Sequence, residues 1–503
     1  MVTVQDTKTY QSFYTKSPPI VEYMVEQLQC SSNDSVLEPC GGDGAFIDAI
    51  LAKHHVRRFD ICELEKSAYE TLCYKYASLP HIEIRNCDTL LDEELTIKSR
   101  IGEKYDKIIG NPPYGAWMDY AKRSFLKKIY PGLYVKETYS LFLYRCIELL
   151  KNEGILSFII PDTFLNLHLH QSLRHHILKK TQILELALFP SSFFPDVNFG
   201  YANLSIITLK KCNQPDLCFN NVFRVLHGFN SVHQLNTKYR GGVKNLNYVQ
   251  GEILANPGQA FFISDDRKVV EKIIDSPLKI GDVADCVTGF YSGNDKRFLR
   301  VANHSLRNGK KYDMIDKNQI FDQPHPDRNI LNGIDGSKCF VPIVKGGNMK
   351  YQKPDDWFMD WSRQSVLHYI NDKKARFQNS QYYFQNGIAV PMISSSSITA
   401  SLLKNRLFDQ SIVGVFPKDQ SLINCLLAFF NSSICNKLIR IINPSTNNPA
   451  NYIKKIPFVY PTPLMLEKIN GIVNSILASI AKDGSYNRDF DLEINNIFDQ
   501  IYS

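Results

Sequence analysis

Asn111, Pro112, Pro113 and Tyr114 stand together behind an apolar stretch, KIIGNPPYGAW over residues 107–117. The prolines remove backbone donors and stiffen the turn. What is left for chemistry is the Asn111 side-chain carbonyl, the Pro112 main-chain carbonyl beside it, and the flat Tyr114 ring. Two acceptors converging on one donor group, next to a stacking face, suit an exocyclic amine on a planar base. Held by both acceptors, such an amine is drawn from planarity and its lone pair localises on nitrogen. It can then attack an electrophilic methyl group in line. No strong base is needed first, because the methylated nitrogen becomes acidic; placement and electrostatics supply the catalysis. A bare NPPY is otherwise a proline turn with a packed tyrosine. Its place after a strand, downstream of the features below, favours chemistry.

Three acids lie upstream, each at the end of an expected strand. Glu38 falls in VLEPCGGDGAF (36–46), a strand, a glycine turn and a helix start. Glycines let the backbone approach a ligand closely, and a helix N-terminus favours an anion. The loop is neither GxGxxG nor a Walker loop, so a tight βα turn explains it equally well. Glu63 ends RFDICE (58–63), where doubly wound folds place an acid on ribose hydroxyls. Taken alone it reads better as an exposed acid on a turn. Asp88 follows IEIRNC (82–87) and could accept from an adenine amino group, or cap a turn. At the ends of three successive strands, these signals describe a pocket for an adenosine with no triphosphate.

The elements that must position these residues alternate. Helical apolar spacing over 17–28, a strand at 35–40, a helix from 46, and further strands at 58–65, 82–90, 105–114 and 155–161 predict a Rossmann-like α/β domain with a mostly parallel sheet. SLFLYRCIELLKNEG (140–154) reads as a helix closed by Gly154. From about residue 240 Asn, Gly, Pro and Ser rise and strand patterns shorten. The division expected is 1–245 catalytic, 246–260 linker, and 261–503 a second, mixed α/β domain. The 503 residues are 44% hydrophobic and 22% charged, an ordinary globular balance, with net charge +7, compatible with a polyanion partner. No apolar run approaches the ~18 residues of a bilayer span, and no apolar h-region marks a signal peptide. The twelve cysteines show neither CxxC nor zinc spacing and read as reduced thiols of a cytoplasmic protein, with no metal expected.

In order, VLEPCGGDGAF, Glu63, Asp88 and NPPY resemble the gamma class, the TaqI-like DNA adenine-N6 methyltransferases of restriction-modification systems. The resemblance implies S-adenosylmethionine as cofactor, held by Tyr14, Thr15 and Ser17 of FYTKSPPIVEYMV. It adds Glu38, Pro39, Cys40, Gly41, Asp43 and Phe46 of the glycine segment, Glu63 and Leu64, Asp88 and Thr89, Asn111 and Pro113, with Phe142 packed on the adenine. Catalysis falls to Asn111, Pro112, Pro113 and Tyr114, with Phe194 as a second aromatic for the target base and Phe199 and Tyr201 as rivals; a core phenylalanine is the plain alternative for each. Such a site cannot reach a base inside a duplex, so the family implies base flipping. KIGDVADCVTGFYSGNDKRFL (279–299), FVPIVKGGNMKYQKPDDWFMDWS (340–362) and residues 429–458 resemble a target-recognition domain. The implied partners are double-stranded DNA and a paired restriction endonuclease. The expected unit is a monomer with no membrane contact. The first motif begins at residue 13, so no nuclease is expected ahead of it. Methylation of cytosine N4, of an RNA base or of a protein glutamine remains open, as does a non-catalytic DNA-specificity subunit. Asn rather than Ser at 111 leans towards adenine, and the long second half towards DNA.

Overall fold

The computed structural model of the chain describes residues 15, 17–115, 118–194, 203–321, 328–347, 349–393 and 397–503. The chain forms two compact units, Met1–Phe262 and Ile263–Ser503. The first is built on one nine-stranded sheet: β1 Ser35–Glu38, β2 Arg58–Glu63, β3 Ile82–Asn86, β4 Tyr105–Gly110, β5 Leu150–Pro161, β6 Thr181–Pro190, β7 Asn203–Lys211, β8 Val222–His227 and β9 Lys244–Val249. Their spatial order is β3-β2-β1-β4-β5-β7-β6-β8-β9. The first five of these positions are mutually parallel. β7 runs antiparallel between β5 and β6, so β6 points the same way as β5. This is the Rossmann-like sheet expected, and all of its early strands end at one edge.

The connecting helices are α1 Pro18–Leu28, α2 Ala45–Lys53, α3 Lys66–Lys75, α4 Glu93–Arg100, α5 Tyr120–Ile129, α6 Thr138–Leu149, α7 Gln171–Lys180, α8 Pro215–Phe219 and α9 Gln250–Ala255. α1 starts on two prolines, whose missing N–H groups have no helical partner there anyway. It buries Ile20, Val21, Tyr23, Met24, Val25 and Leu28. β1 is buried on both faces, as is β5 from Gly154 to Pro161, where the sequence is mostly apolar, as central parallel strands require.

Two expectations need correction. Gly154 does not close α6: the helix stops at Leu149, and residues 150–153 already belong to β5, Leu150 pairing with Tyr105. A Cβ at Gly154 would stand 2.9 Å from Leu150 Cγ and 3.0 Å from the Asp106 oxygen, so the glycine serves close strand contact. Residues 246–260 are not a linker. They complete β9, form α9, and close on the 3-10 turn Pro257–Gln259. The reason is polar and buried. Gln250 donates to the Leu178 and Thr181 carbonyls (2.8 and 2.7 Å) and accepts from Ile183 N at 3.0 Å. Arg174, itself buried, donates through Nε and Nη2 to Gly258 O and through Nη1 to Phe164 O and Leu167 O.

The second unit is mixed α/β. Ala284–Thr288, Ile412–Pro417, Gly387–Pro391 and Ser401–Leu403 make an antiparallel sheet. Leu299–Val301, Trp357–Asp360 and Phe340–Val344 make another, joined in parallel by Leu407–Phe408. Phe290, Trp361 and Tyr369 lie in its aromatic core. Lys345 of the KGG segment bridges Asp295 (2.6 Å) and Asp409 (3.0 Å). The helix Pro463–Asp483 is long and apolar enough by length and composition to cross a membrane, which no contiguous run in the sequence suggested. Asn470, Asn474, Ser475 and Ser479 interrupt it, Ile469, Ile472, Val473 and Ile476 are buried, and Asn474 accepts from Asn424 at 3.1 Å.

Truncating Gln250 to Ala strands several buried backbone groups at once. The variant is expected to lose about 2–4 kcal/mol of stability in the first unit, read by urea denaturation followed by circular dichroism.

Candidate active site

Four parallel strands deliver their ends to one edge of the sheet. At the end of β1 the chain turns through Gly41, whose N–H donates to Cys62 O (3.0 Å), and Gly44, whose N–H returns to Gly41 O (2.9 Å). A Cβ at Gly41 would lie 2.6 Å from Ile61 Cγ2, and Gly44 sits at φ +84° with Tyr76 Oη 2.5 Å from where its Cβ would be. Both positions therefore demand glycine. Glu63, at the end of β2, takes the Gly42 N–H on one oxygen and the Glu65 N–H on the other, each at 2.8 Å. Burial raises its pKa, against the lowering effect of these N–H donors. Asp43 flanks the turn, and Leu64 beyond Glu63 is exposed.

Glu38 is buried, and its Oε2 has no hydrogen-bond partner among the described residues. Burial, followed by the charges of Glu63, Asp43 and Asp48, pushes its carboxyl well above the usual range. A lone buried carboxylate oxygen calls for a proton or a cation. Phe46, by contrast, is a core side chain of α2. Pro39 and Thr89 are tied together, Thr89 Oγ1 donating to Pro39 O at 2.6 Å, which locks the turn after β3 to the glycine turn. The Cys40 thiol is raised by burial and by the nearby Glu38 and Glu63.

Asp88 is already engaged. Lys122 Nζ of α5 donates to its Oδ2 at 2.8 Å and Leu90 N to its Oδ1 at 3.1 Å. The capping role foreseen for it is present, and the lysine was not foreseen. A ligand amino group reaching Asp88 meets a carboxylate that also holds a cation.

β4 ends at Gly110, where a Cβ would be 3.3 Å from Pro39 Cδ and 3.4 Å from both Cys40 Sγ and Phe158 Cε1. Asn111 follows, its amide nitrogen donating to Thr15 Oγ1 at 3.0 Å. Thr15 and Ser17 are buried ahead of α1, and the Ser17 carbonyl accepts the Ile20 and Val21 N–H groups. The Pro113 carbonyl accepts from Thr138 Oγ1 at 2.5 Å, so α6 steadies the turn from the other side. Phe142 lies buried one helical turn on.

The expected stacking faces are closed. Tyr114 is 2% exposed and Phe194 4%. With no base present, covering these rings removes apolar area from water; a stacked base must displace what covers them. Tyr14, Phe199 and Tyr201 lie outside the described residues.

Sequence reading missed a polar cluster beside the turn. Glu137 accepts from Thr163 Oγ1 (3.2 Å) and lies 2.7 Å from His170 Nε2, and Tyr139 Oη contacts Thr163 (2.7 Å) and His170 (3.0 Å). Burial pushes Glu137 up, but His170, Tyr139 and Thr163 outweigh it and hold the carboxyl below its usual value. The pairs are 24 to 33 residues apart, so no local pattern could have shown them. Asp162, at the end of β5, accepts from Asn203 Nδ2 at 3.2 Å and is pushed up to about 6 by burial. Among the described residues no three His, Cys, Asp or Glu side chains are grouped to hold a metal ion.

The strand order, with carboxylates and a donor-poor turn at the strand ends, defines a Rossmann-like methyltransferase domain. Residues 50–194 match the family described as Eco57I restriction-modification methylase. The modification methylase CviBIII of Paramecium bursaria Chlorella virus NC1A is 28% identical over 57% of this chain and 72% of its own length. The type II methyltransferase M.AccI of Acinetobacter calcoaceticus is 26% identical over 47% of this chain, and the match spans 44% of M.AccI. Among solved structures, the DrdV–DNA complex shares the fold over 94% of this chain and 57% of its own, with TM-score 0.54 at 12% identity.

Asp162 makes a pH prediction whose sign is fixed. Its folded pKa of about 6 lies above the ordinary carboxylate value. Below that ordinary value the group is neutral in both states. As pH rises towards 6 the unfolded chain releases a proton the folded chain keeps, so stability falls, by roughly 2–3 kcal/mol once pH exceeds the folded pKa. Asp162→Asn is expected to unfold at a higher temperature than the wild type at pH 8, with the gap closing by pH 4 in thermal melts.

Proposed function

We propose that this chain is a sequence-specific DNA adenine-N6 methyltransferase of a restriction-modification system. The observation that carries the reading is Asn111, set just after β4 with its amide nitrogen held by Thr15. Anchoring the nitrogen end fixes the amide's orientation, so that its oxygen and the Pro112 carbonyl can each accept one N–H of an adenine amine. The pocket upstream fits S-adenosylmethionine: the orphaned Glu38 oxygen suits the amino acid's ammonium group, Glu63 a ribose, and exposed Leu64 one face of an adenine. When bound, that cofactor supplies an electrophilic methyl group. The protein's own residues orient the amine, localise its lone pair and exclude water; the proton leaves after the new N–C bond has formed.

The family match and the relatives' names, modification methylase and type II methyltransferase, support DNA as substrate. The second unit takes the part of target recognition. A monomer acting on one strand at a time, beside a separate restriction endonuclease and in the cytoplasm of a bacterium or archaeon, completes the proposal.

Long-read sequencing of DNA from a methylation-free host expressing the chain is expected to find N6-methyladenine at one short motif. Modification at cytosine N4, or none from soluble protein that binds the cofactor, would overturn the adenine assignment. Asn111→Ala is expected to lower methyl transfer by at least about a hundredfold, as loss of a preorganised polar group does, while duplex affinity, read by titration, stays within a few-fold of the wild type.

A further inference from the structure

The helix α5 begins six residues after Tyr114 and buries only Leu126. Its inner side is spent on the site: Lys122 holds Asp88, Arg123 Nη2 donates to Met118 O at 3.3 Å, and Tyr130, just past the helix, donates to Leu90 O at 2.7 Å. Its outer side is without a partner among the described residues and is of unusual make-up. Tyr120 is 85% exposed, Phe125 52% and Ile129 42%. Lys127 and Lys128 are exposed between them, and neither pairs with a carboxylate among the described residues. Residues 120–136 contain five Lys and Arg and no Asp or Glu. An outward face with rings, aliphatic carbon and uncompensated positive charge fits a polyanion with apolar surfaces between its charges.

We infer that the outer face of α5 is a DNA-binding surface that grips the duplex backbone beside the flipped nucleotide, Lys127 and Lys128 reaching phosphates and Phe125 lying against the exposed sugar–base edge. This rests on the proposed reaction and adds where the duplex lies. The helix is pinned through Lys122 and Tyr130 to the ends of the turn after β3, at the edge where NPPY stands. A base drawn into that edge brings its flanking phosphates past the neighbouring rim. Phosphate contacts of this kind carry affinity and register and little sequence information. Two copies of the chain, or a protein partner covering the apolar side chains, are the competing occupants. A second copy is disfavoured, because two such acid-free faces bring like charges together.

The test is the salt dependence of duplex binding by the full chain, followed by fluorescence anisotropy with a labelled mixed-sequence duplex. Each phosphate contact contributes about 0.9 to the slope of log K against log salt concentration. The double variant Lys127→Gln/Lys128→Gln is expected to reduce the slope by about two. The charge-matched Lys179→Gln/Lys180→Gln, in the last turn of α7 at the opposite edge of the sheet, is expected to leave it unchanged. In the wild-type chain, bound duplex is expected to shield Lys127 and Lys128 from an amine-reactive reagent. A wild-type chain that binds the duplex, with an unchanged slope in the α5 variant and no shielding, overturns the inference and leaves the proposed reaction standing. A wild-type chain that binds no duplex overturns both. Concentration-dependent self-association abolished by Phe125→Ser, with DNA binding intact, would assign the face to a second copy instead.

Discussion

Crowding at Gly110 governs the site. β4 lies in the middle of the parallel strands, between β1 and β5, and its last residue has Pro39, Cys40 and Phe158 pressed around the place a Cβ would occupy. A Cβ there would be tight against all three, and the chain leaves the sheet directly after it. Pro112 and Pro113 let it do so without burying unpaired N–H groups, since they have none. The rest of the site is hung on that exit: Thr15 on the Asn111 amide, Thr138 on the Pro113 carbonyl, and Thr89 on the Pro39 carbonyl one strand away. Two hydroxyls hold a turn that has few donors of its own, and a third ties the glycine turn beside it to the turn after β3.

The carboxylates around it divide by partner. Glu38 is pushed up by burial and by the charge of Glu63, and Glu63 by burial, so a ligand that brings positive charge gains where a neutral one does not. Glu137, largely removed from water, is drawn the other way because His170, Tyr139 and Thr163 hydrogen-bond to it. Asp88 is held by Lys122, which ties the turn after β3 to α5. Burial alone does not set the state of these groups. The donors and charges aimed at each one do.

The rings expected to stack on a target base are both covered. An aromatic platform open to water exposes apolar area for no return, so Tyr114 and Phe194 pack inward until something planar replaces their cover. Under the proposed reaction, the energy of uncovering them would add to that of extracting a base, and contacts elsewhere would have to offset it. A cationic surface next to the turn, and a second unit with its own lysine-bearing loops, are the parts of the chain with the charge to supply them.

Much of this was written in local pattern. The alternation of strand and helix, the acids Glu38, Glu63 and Asp88 at strand ends, the glycine turn and NPPY are all short-range features. Backbone stiffness, the need for glycine at a tight turn and the apolar runs of parallel strands are properties of a few consecutive residues. Boundaries and partnerships were not legible. The stretch 246–260 has the composition of a linker, yet Gln250 and Arg174 fold it onto β6 and α7 through hydrogen bonds spanning about seventy to eighty residues. Gly154 looks like a helix stop and is a strand residue, because Tyr105 and Asp106 lie alongside it. Lys122 on Asp88, Thr138 on Pro113 and His170 beside Glu137 pair residues that no spacing rule connects. The sequence by itself determined which chemical groups stand at the strand ends, since these follow from neighbours along the chain. Only the tertiary structure decided what each group touches and which rings are covered, because those depend on segments that meet only once the sheet has formed.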